Sequence, residues 1–457
     1  MAFLKVKTEY GWLEGDRCDD RNISVFKGIP YAKAPLGDLR WKRPVPPEKW
    51  TGTRQAKAYG PISPQLTRTN PKSNAFAMKE WFPCDEVMDE DCLYLNVWTP
   101  AESTNEKLPV MMWIFGGGNR IGFSYSNYTS GISFARQGIV FVTIGFRIGT
   151  LGNLVHPDLD AENEEGISGN YTIFDQIAAL KWCRSNISAF GGDPDNITIF
   201  GESSGSMSVQ ALFSSPLTKG DIRRAIMESG GGIFGSPEDK LRPTLKQAEA
   251  AANLNRLLGV KTIKAARELP WEEIIRRSTP EFDGLGIKYP GQIIDGYCIV
   301  EDDGLLALHN LHPDIDFLVG CTSDESPRQL RSMISWCENQ ITCGKKSAYL
   351  YQFSRPQPGD PVPSAFHGSE LYYVFNTLSH SWRNYAPEDY VLANQINKYW
   401  GNFAKTGNPN GTSLPNWSAY SSENRSFMRL DVRPHMESIP EGYRYVTLEN
   451  YTDFLEL

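Results

Sequence analysis

Asn196-Ile197-Thr198-Ile199-Phe200-Gly201-Glu202-Ser203-Ser204-Gly205-Ser206 is the stretch on which the fold reading turns. Its β-branched, apolar start reads as a buried strand from Ile197 to Phe200. Its Gly-x-Ser-x-Gly centre reads as a sharp turn, and its continuation through Leu212 as a helix. A serine stands clear of the backbone on so tight a turn only where side chains two residues to either side are absent. Gly201 and Gly205 supply that absence. The frame also separates two adjacent serines: Ser204 would need glycine at 202 and 206, where Glu and Ser stand, so Ser203 is the expected nucleophile. A Gly-Ser turn without chemistry is the bland alternative, and the strand ahead and helix behind weigh against it.

Outward from this turn the same grammar recurs: a short apolar run, a Gly-rich turn, a segment of helical period. Further strands are expected at Val110 to Phe115, Ile139 to Phe146, Phe317 to Val319, Tyr349 to Phe353 and Phe427 to Leu430. Ile173, Ile177 and Leu180 keep helical spacing before Gly191 and Gly192, as do Leu392, Ile396, Tyr399 and Phe403 before Gly407 and Pro409. Pro243 to Arg277 reads as helices, with Leu254, Leu257 and Leu258 ahead of a Gly259 cap. This insertion falls between sheet elements, so residues 235–315 are expected to form a helical cap on one domain spanning 1–457. Arg355 to Ser364 reads as a surface loop. The expected fold class is α/β, of the α/β-hydrolase kind: a large, mostly parallel central sheet flanked by helices, with helical cap insertions.

Composition supports a sizeable core, with 40% hydrophobic residues including 12 Trp, 20 Tyr and 22 Phe among 457 residues. The net charge of −8 is spread over interspersed acids and bases, and no basic block marks a nucleic-acid surface. No run approaches the roughly 18 apolar residues of a membrane span, and Met1 to Gly15 lacks a signal-peptide core. A cytoplasmic protein is expected. The eight cysteines contain no CxxC pair and read as reduced thiols.

Met112-Trp-Ile-Phe-Gly-Gly-Gly-Asn-Arg120 follows a strand ahead of the nucleophile. Glycines there let main-chain N–H groups approach a developing oxyanion, where each donor is worth roughly 2.7–4 kcal/mol. The expected donors are the amides of Gly117, Gly118 and Ser204. No Lys-Ser/Thr follows, so a phosphate cradle is disfavoured.

In this fold the acid and then the histidine follow the serine along the chain. Among six histidines, His156 precedes Ser203, and His309 and His312 precede the best acid. His367, His380 and His435 remain. His367 lies in a loop with glycine directly after it, whereas His380 falls in a helix-like segment and His435 follows a proline. His367 is the favoured base. The strand Phe317 to Val319 leads into a polar turn ending in Asp324 and Glu325, either of which suits the acid on residues alone.

These segments together resemble the type-B carboxylesterases, the family that also contains the cholinesterases, over nearly the whole chain. Further matches are Phe26-Lys-Gly-Ile-Pro-Tyr-Ala, Leu39-Arg-Trp-Lys-Arg-Pro, Glu90-Asp-Cys-Leu-Tyr-Leu-Asn-Val-Trp, Phe190-Gly-Gly-Asp-Pro and Asn402-Phe-Ala-Lys-Thr-Gly-Asn-Pro-Asn. The resemblance implies a serine esterase that cuts small-molecule carboxylic esters through an acyl-enzyme, with Glu325 as the acid and with neither cofactor nor metal. It also implies that Arg40, Glu90, Arg147 and Asp193 are structural ion-pair residues. A lactonase, amidase or thioesterase with the same triad, and a non-catalytic binding member of the family, are the rival expectations.

Several positions depart from the family pattern. Phe115 stands where relatives often carry His or Tyr, and Ser326 and Pro327 replace the Gly after the acid. Ser63 stands where many relatives carry the cysteine that pairs with Cys92, which favours a reducing compartment; Cys84 is the alternative partner. The stretch from Glu325 to His367 is shorter than is usual, implying a more open pocket. Candidate lining residues are Phe115, Asn119, Arg120, Phe123, Glu202 and Trp336, each with an ordinary surface or core role as its alternative. The Phe-Gly-Gly-Gly variant is similar to that of bacterial members.

Overall fold

The apolar runs lie side by side in one sheet. The computed structural model describes residues 3–66, 75–83, 86–234, 242–243, 254–284, 291–359 and 364–451. Strands β1 (Lys5–Thr8) and β2 (Gly11–Glu14) form a hairpin that β5 (Thr53–Gln55) joins in parallel, making a small N-terminal sheet. The large sheet opens with β3 (Asp16–Arg17), β4 (Ser24–Pro30), β6 (Tyr94–Thr99), β7 (Leu108–Ile114) and β8 (Val140–Ile144). It continues with β9 (Gly192–Glu202), β10 (Arg224–Glu228), β13 (Asp316–Thr322), β14 (Tyr349–Phe353), β15 (Ser426–Leu430) and β16 (His435–Ser438). A two-stranded ribbon pairs β11 (Arg242–Pro243) with β12 (Ile293–Ile294).

The large sheet has eleven strands in the order β16-β15-β14-β13-β10-β9-β7-β8-β6-β4-β3. From β15 to β8 neighbours are parallel; β16 at one rim and β6, β4 and β3 at the other run antiparallel. The central strands are buried runs, every residue of β8 and β7 from Val110 onward, as expected where helices cover both faces of a parallel sheet. Each expected strand lies in this sheet. The strands before residue 100, together with β10, β11, β12 and β16, had no counterpart as strands in the sequence reading.

The helix Tyr171–Asn186 packs against β9 and against the helix Ser204–Ser214. The helix Pro387–Thr406 starts with proline in its first turn, where the missing N–H costs nothing, and ends at Gly407 with φ +81°. In the insertion, Pro243 belongs to β11 rather than to a helix, and the described helices are 254–258, Ile263–Arg267 and Trp271–Gly284. Leu254, Leu257, Leu258, Ile263 and Ile274 bury themselves with Trp41, Leu151, Leu154, Leu159 and Tyr171 in a second apolar cluster. Of the expected loop from Arg355 to Ser364, residues 360–363 lie outside the described ones. Among the described residues no helix is long and apolar enough to cross a membrane.

Two buried ion pairs fix the loops around the sheet. Arg40 donates from Nε to Glu90 Oε2 at 2.7 Å, with a second bond from Nη2 to Oε1. Its Nη1 reaches the carbonyls of Ala266, Arg267 and Leu269 at 3.2, 3.1 and 2.7 Å, tying the insertion helices to the N-terminal segment. Arg147 pairs with Asp175, Nε to Oδ2 at 2.8 Å and Nη2 to Oδ1 at 2.7 Å. The expected ionic role of Asp193 is corrected: among the described residues it makes no ion pair, and its Oδ1 accepts the Asp195 amide at 3.0 Å in a local turn. The seven described cysteines are unpaired, Cys92 included, while Ser63 Oγ accepts the Ile148 amide at 3.2 Å. Cys84 lies outside the described residues.

Removing one partner of a buried pair leaves the other charge stranded. Asp175→Ala is expected to lower unfolding free energy by about 3–5 kcal/mol, measured by urea denaturation; a loss below about 1 kcal/mol would contradict the burial of Arg147.

Candidate active site

Ser203 occupies φ +57°, ψ −127°, a conformation that an L-residue holds only under constraint and that costs of order 1–3 kcal/mol. The constraint is visible on every side. A Cβ on Gly201 would lie 2.6 Å from the Ile114 carbonyl oxygen, and one on Gly205 would lie 2.2 Å from the same atom. The Ser203 amide donates to the Glu228 carbonyl of β10 at 2.9 Å, and its carbonyl accepts the Met207 amide at 3.0 Å. A strand ending at Glu202 and a helix beginning at Ser204 thus meet at one strained serine.

The glycine loop after β7 closes on this turn. A Cβ on Gly116 would come within 3.0 Å of the Ser203 Cβ, and Gly117 and Gly118 take φ values of +116° and +63°. The Gly117 carbonyl accepts the amides of Arg120 and Ile121 at 3.1 and 3.2 Å, folding the loop back on itself. The amides of Gly117, Gly118 and Ser204 find no acceptor among the described residues. The Ser204 hydroxyl instead accepts the Asn119 amide at 3.2 Å, joining loop to helix.

The turn after β13 delivers the acid. Glu325 Oε1 lies 3.0 Å from His367 Nδ1 and accepts the Thr322 hydroxyl at 2.7 Å. Asp324 turns the other way, its Oδ2 accepting the Ala365 amide at 2.8 Å while its own amide donates to the Ala365 carbonyl at 3.2 Å. It splices the acid turn to the histidine loop and leaves Glu325 as the partner of the ring. The other candidate histidines are elsewhere: His380 is exposed with Nδ1 3.1 Å from the Asn127 carbonyl, and His435 sits exposed on the rim strand β16.

His367 Nε2 faces Glu202 Oε1 at 3.1 Å, and no hydrogen bond joins Nε2 to the Ser203 hydroxyl in this structure. The carboxylate preceding the serine competes for that nitrogen. Around this one imidazole, which is 44% exposed, stand Glu202, Glu325 and a carboxyl that the sequence reading missed, Glu370; a second missed carboxyl, Glu228, lies behind them, beside Glu202 and Glu370. Both are buried, Glu228 accepting the Trp400 indole N–H at 2.7 Å and Glu370 accepting the Ser229 hydroxyl at 3.3 Å. Burial pushes the carboxyls of Glu202 and Glu370 upward, and it pushes Glu228 up to about 8 against the Trp400 hydrogen bond. Burial lowers the His367 imidazole, but the charges of Glu202, Glu325 and Glu370 and the Glu325 hydrogen bond outweigh it, lifting the ring to about 10. The signal for Glu370 was its place three residues after His367; for Glu228 it was register, since that residue pairs with Glu202 across β10 and β9.

The pocket candidates divide. Trp336 is fully buried against Phe213, Phe317 and His312, so it belongs to the core; one face of its helix packs inward, and periodicity could not say which pocket, if any, that face met. Phe115 stacks on Phe146 at 4.0 Å beneath the glycine loop, and Phe123 packs on Phe82 and Tyr125; both are buried as well. Asn119, with φ +55°, and the exposed Arg120 lie on the loop itself, and Glu202 lies at the ring.

Comparison with known proteins places the chain among the carboxylesterases. The sequence model described as the carboxylesterase family matches residues 3–340 and 329–447. The chain is 33% identical to the para-nitrobenzyl esterase of Bacillus subtilis (strain 168) over 97% of its own length and 98% of that protein. Among solved structures, a PNB esterase superposes with a TM-score of 0.82 at 29% identity, covering 99% of both chains. A Geobacillus stearothermophilus carboxylesterase superposes with a TM-score of 0.79 at 31% identity, covering 96% of this chain and 98% of that one.

Because Glu202 contributes most to raising the ring, Glu202→Gln is expected to move the His367 titration midpoint to lower pH, read by NMR of 15N-labelled imidazole. An unmoved midpoint would show that the two groups do not pair in solution.

Proposed function

The chain belongs to the carboxylesterase family, and from that premise we propose that Ser203 is its nucleophile, His367 its general base and acid, and Glu325 the carboxylate that orients the ring. Like its relatives it is a carboxylic ester hydrolase with the α/β-hydrolase fold. The observation that carries the assignment is the 3.0 Å contact of Glu325 with His367 Nδ1, made while Nε2 of the same ring lies against the residue preceding Ser203.

With Nδ1 held by Glu325, the ring leaves its Nε2 proton on Glu202, whose carboxyl pKa burial raises, and swings Nε2 to the Ser203 hydroxyl as an ester enters. Ser203 Oγ attacks the carbonyl carbon and its proton passes to Nε2. The carbonyl oxygen becomes an oxyanion held by the amides of Gly117, Gly118 and Ser204, which have no competing acceptor among the described residues. The imidazolium gives its proton to the departing alkoxide, the C–O bond breaks, and alcohol leaves an acyl-Ser203. Water, deprotonated by the neutral ring, attacks the acyl carbon; the same proton then returns to Ser203 as the carboxylic acid is released. Throughout, Glu325 stabilises the positive ring. Asn119, Arg120 and Glu202 line the cleft, and the described insertion helices, Ile263–Arg267 and Trp271–Gly284, are proposed as its cap.

Ser203→Ala and His367→Ala are each expected to lower turnover about a million-fold, and Glu325→Ala somewhat less. The assay is hydrolysis of short-acyl, long-acyl, aryl and hydroxycinnamoyl esters, with mass spectrometry locating the adduct of a fluorophosphonate. Turnover that survives Ser203→Ala, or an adduct on another residue, overturns the assignment.

A further inference from the structure

Behind the histidine loop lies a buried ion pair to which the chemistry above assigns no task. Glu80, at the end of the helix Ala75–Glu80, and Arg383 are 2% and 6% exposed. Arg383 Nε donates to Glu80 Oε1 and Oε2 at 2.9 and 3.1 Å, and Nη2 to Oε2 at 2.9 Å. The Trp382 indole N–H adds a bond to Oε2 at 3.0 Å, and Arg383 Nη1 reaches the Pro358 carbonyl at 2.6 Å. The Tyr372 hydroxyl donates to the Glu80 carbonyl at 2.8 Å. An apolar pair would hold two segments together at least as well, because taking two charges out of water offsets most of their attraction. What a bidentate pair adds is a fixed relative position.

The parts it positions flank His367. The guanidinium of Arg383 stands 5.1 Å from the ring of Phe366, whose edge contacts reach Phe76 at 5.1 Å and Trp81 at 6.2 Å. Trp81, the residue after Glu80, approaches the Gly368 carbonyl with its indole nitrogen at 3.4 Å. A Cβ on Gly368 would lie 3.2 Å from both Trp81 and Glu202 Oε1. So the residue before the histidine and the residue after it both rest on groups placed by Glu80 and Arg383. The imidazole itself is 44% exposed and ion-pairs only with Glu202 and Glu325 among the described residues, so its placement is inherited from the backbone of 366–368.

We propose that Glu80 and Arg383 are positioning residues for His367: their ion pair clamps the 75–83 segment onto Phe366 and Gly368 and so sets the ring for proton transfer. The proposal rests on His367 being the base. Displacing a reacting group by about 1 Å costs on the order of a hundred-fold in rate, so Glu80→Gln and Arg383→Met are expected to lower kcat about ten- to a hundred-fold with KM within a few-fold. The double variant should be no slower than the slower single, since either change alone breaks the pair. Arg383→Lys, which keeps the charge but not the fork, should recover part of kcat. Fluorophosphonate labelling of Ser203 should slow in step with kcat.

Circular dichroism and urea unfolding establish that each variant is folded, and Arg383→Lys carries the test if Glu80→Gln is not. A folded Glu80→Gln or Arg383→Lys at wild-type kcat, or a loss that falls entirely on KM, overturns the proposal. Wild-type kcat in these variants with His367→Ala inactive overturns the clamp alone; turnover surviving in His367→Ala overturns the base assignment and the clamp together.

Discussion

The backbone of Ser203 is the constraint from which the rest of the site follows. At φ +57° it would relax toward an ordinary conformation if the flanking strand and helix had room, and glycine at 201 and 205 permits the opposite, a contact so close that a methyl group on either would overlap the Ile114 carbonyl. That closeness brings the ends of β7 and β9 together and seats Gly116 against the Ser203 side chain. The glycine loop is therefore beside the serine for the same steric reason that the serine is strained. Strain of this kind persists only where surrounding structure over-determines it, and here β10 takes the serine amide while the following helix takes its carbonyl.

Charge is the second organising quantity. The C-terminal ends of β9 and β10 place Glu202 and Glu228 side by side, and the loops after β13 and β14 add Glu325, His367 and Glu370. Carboxyls buried this closely do not all ionise, and burial raises those of Glu202, Glu228 and Glu370. The imidazole is the counter-charge that Glu202, Glu325 and Glu370 share. In the mechanism proposed above, the ring gives up a proton to Glu202 before it takes one from Ser203, and the positive form that then returns is the one the nearby acids favour.

How much of this was legible depended on whether a residue's task is local. The elbow serine, the glycine loop and the histidine were read from short motifs because steric needs within a few residues specify them. Strands such as β8 and β13 were read because their apolar runs are continuous. β10 was not, since Arg224 and Glu228 bracket only three apolar residues, and both charges are buried by distant partners, Asp316 and Trp400. β4 was hidden by the irregularity between Phe26 and Ile29 and by Pro30. Likewise nothing in the sequence near Arg147 names Asp175 as its partner; the helix Tyr171–Asn186 carries that carboxylate into the core. Trp336 was a pocket candidate for want of the same kind of information.

The rims of the large sheet have a consequence for the company the protein keeps. A strand of another chain seeking backbone bonds meets only the two residues of β3 on one side. On the other it meets β16, four residues long, carrying His435 and Glu437 and bounded by Pro434 and Pro440, which have no N–H to offer. Among the described residues, the seven parallel strands of the large sheet, with their largely apolar side chains, are thus sealed between short, charged ends that give cross-β stacking little template on this sheet.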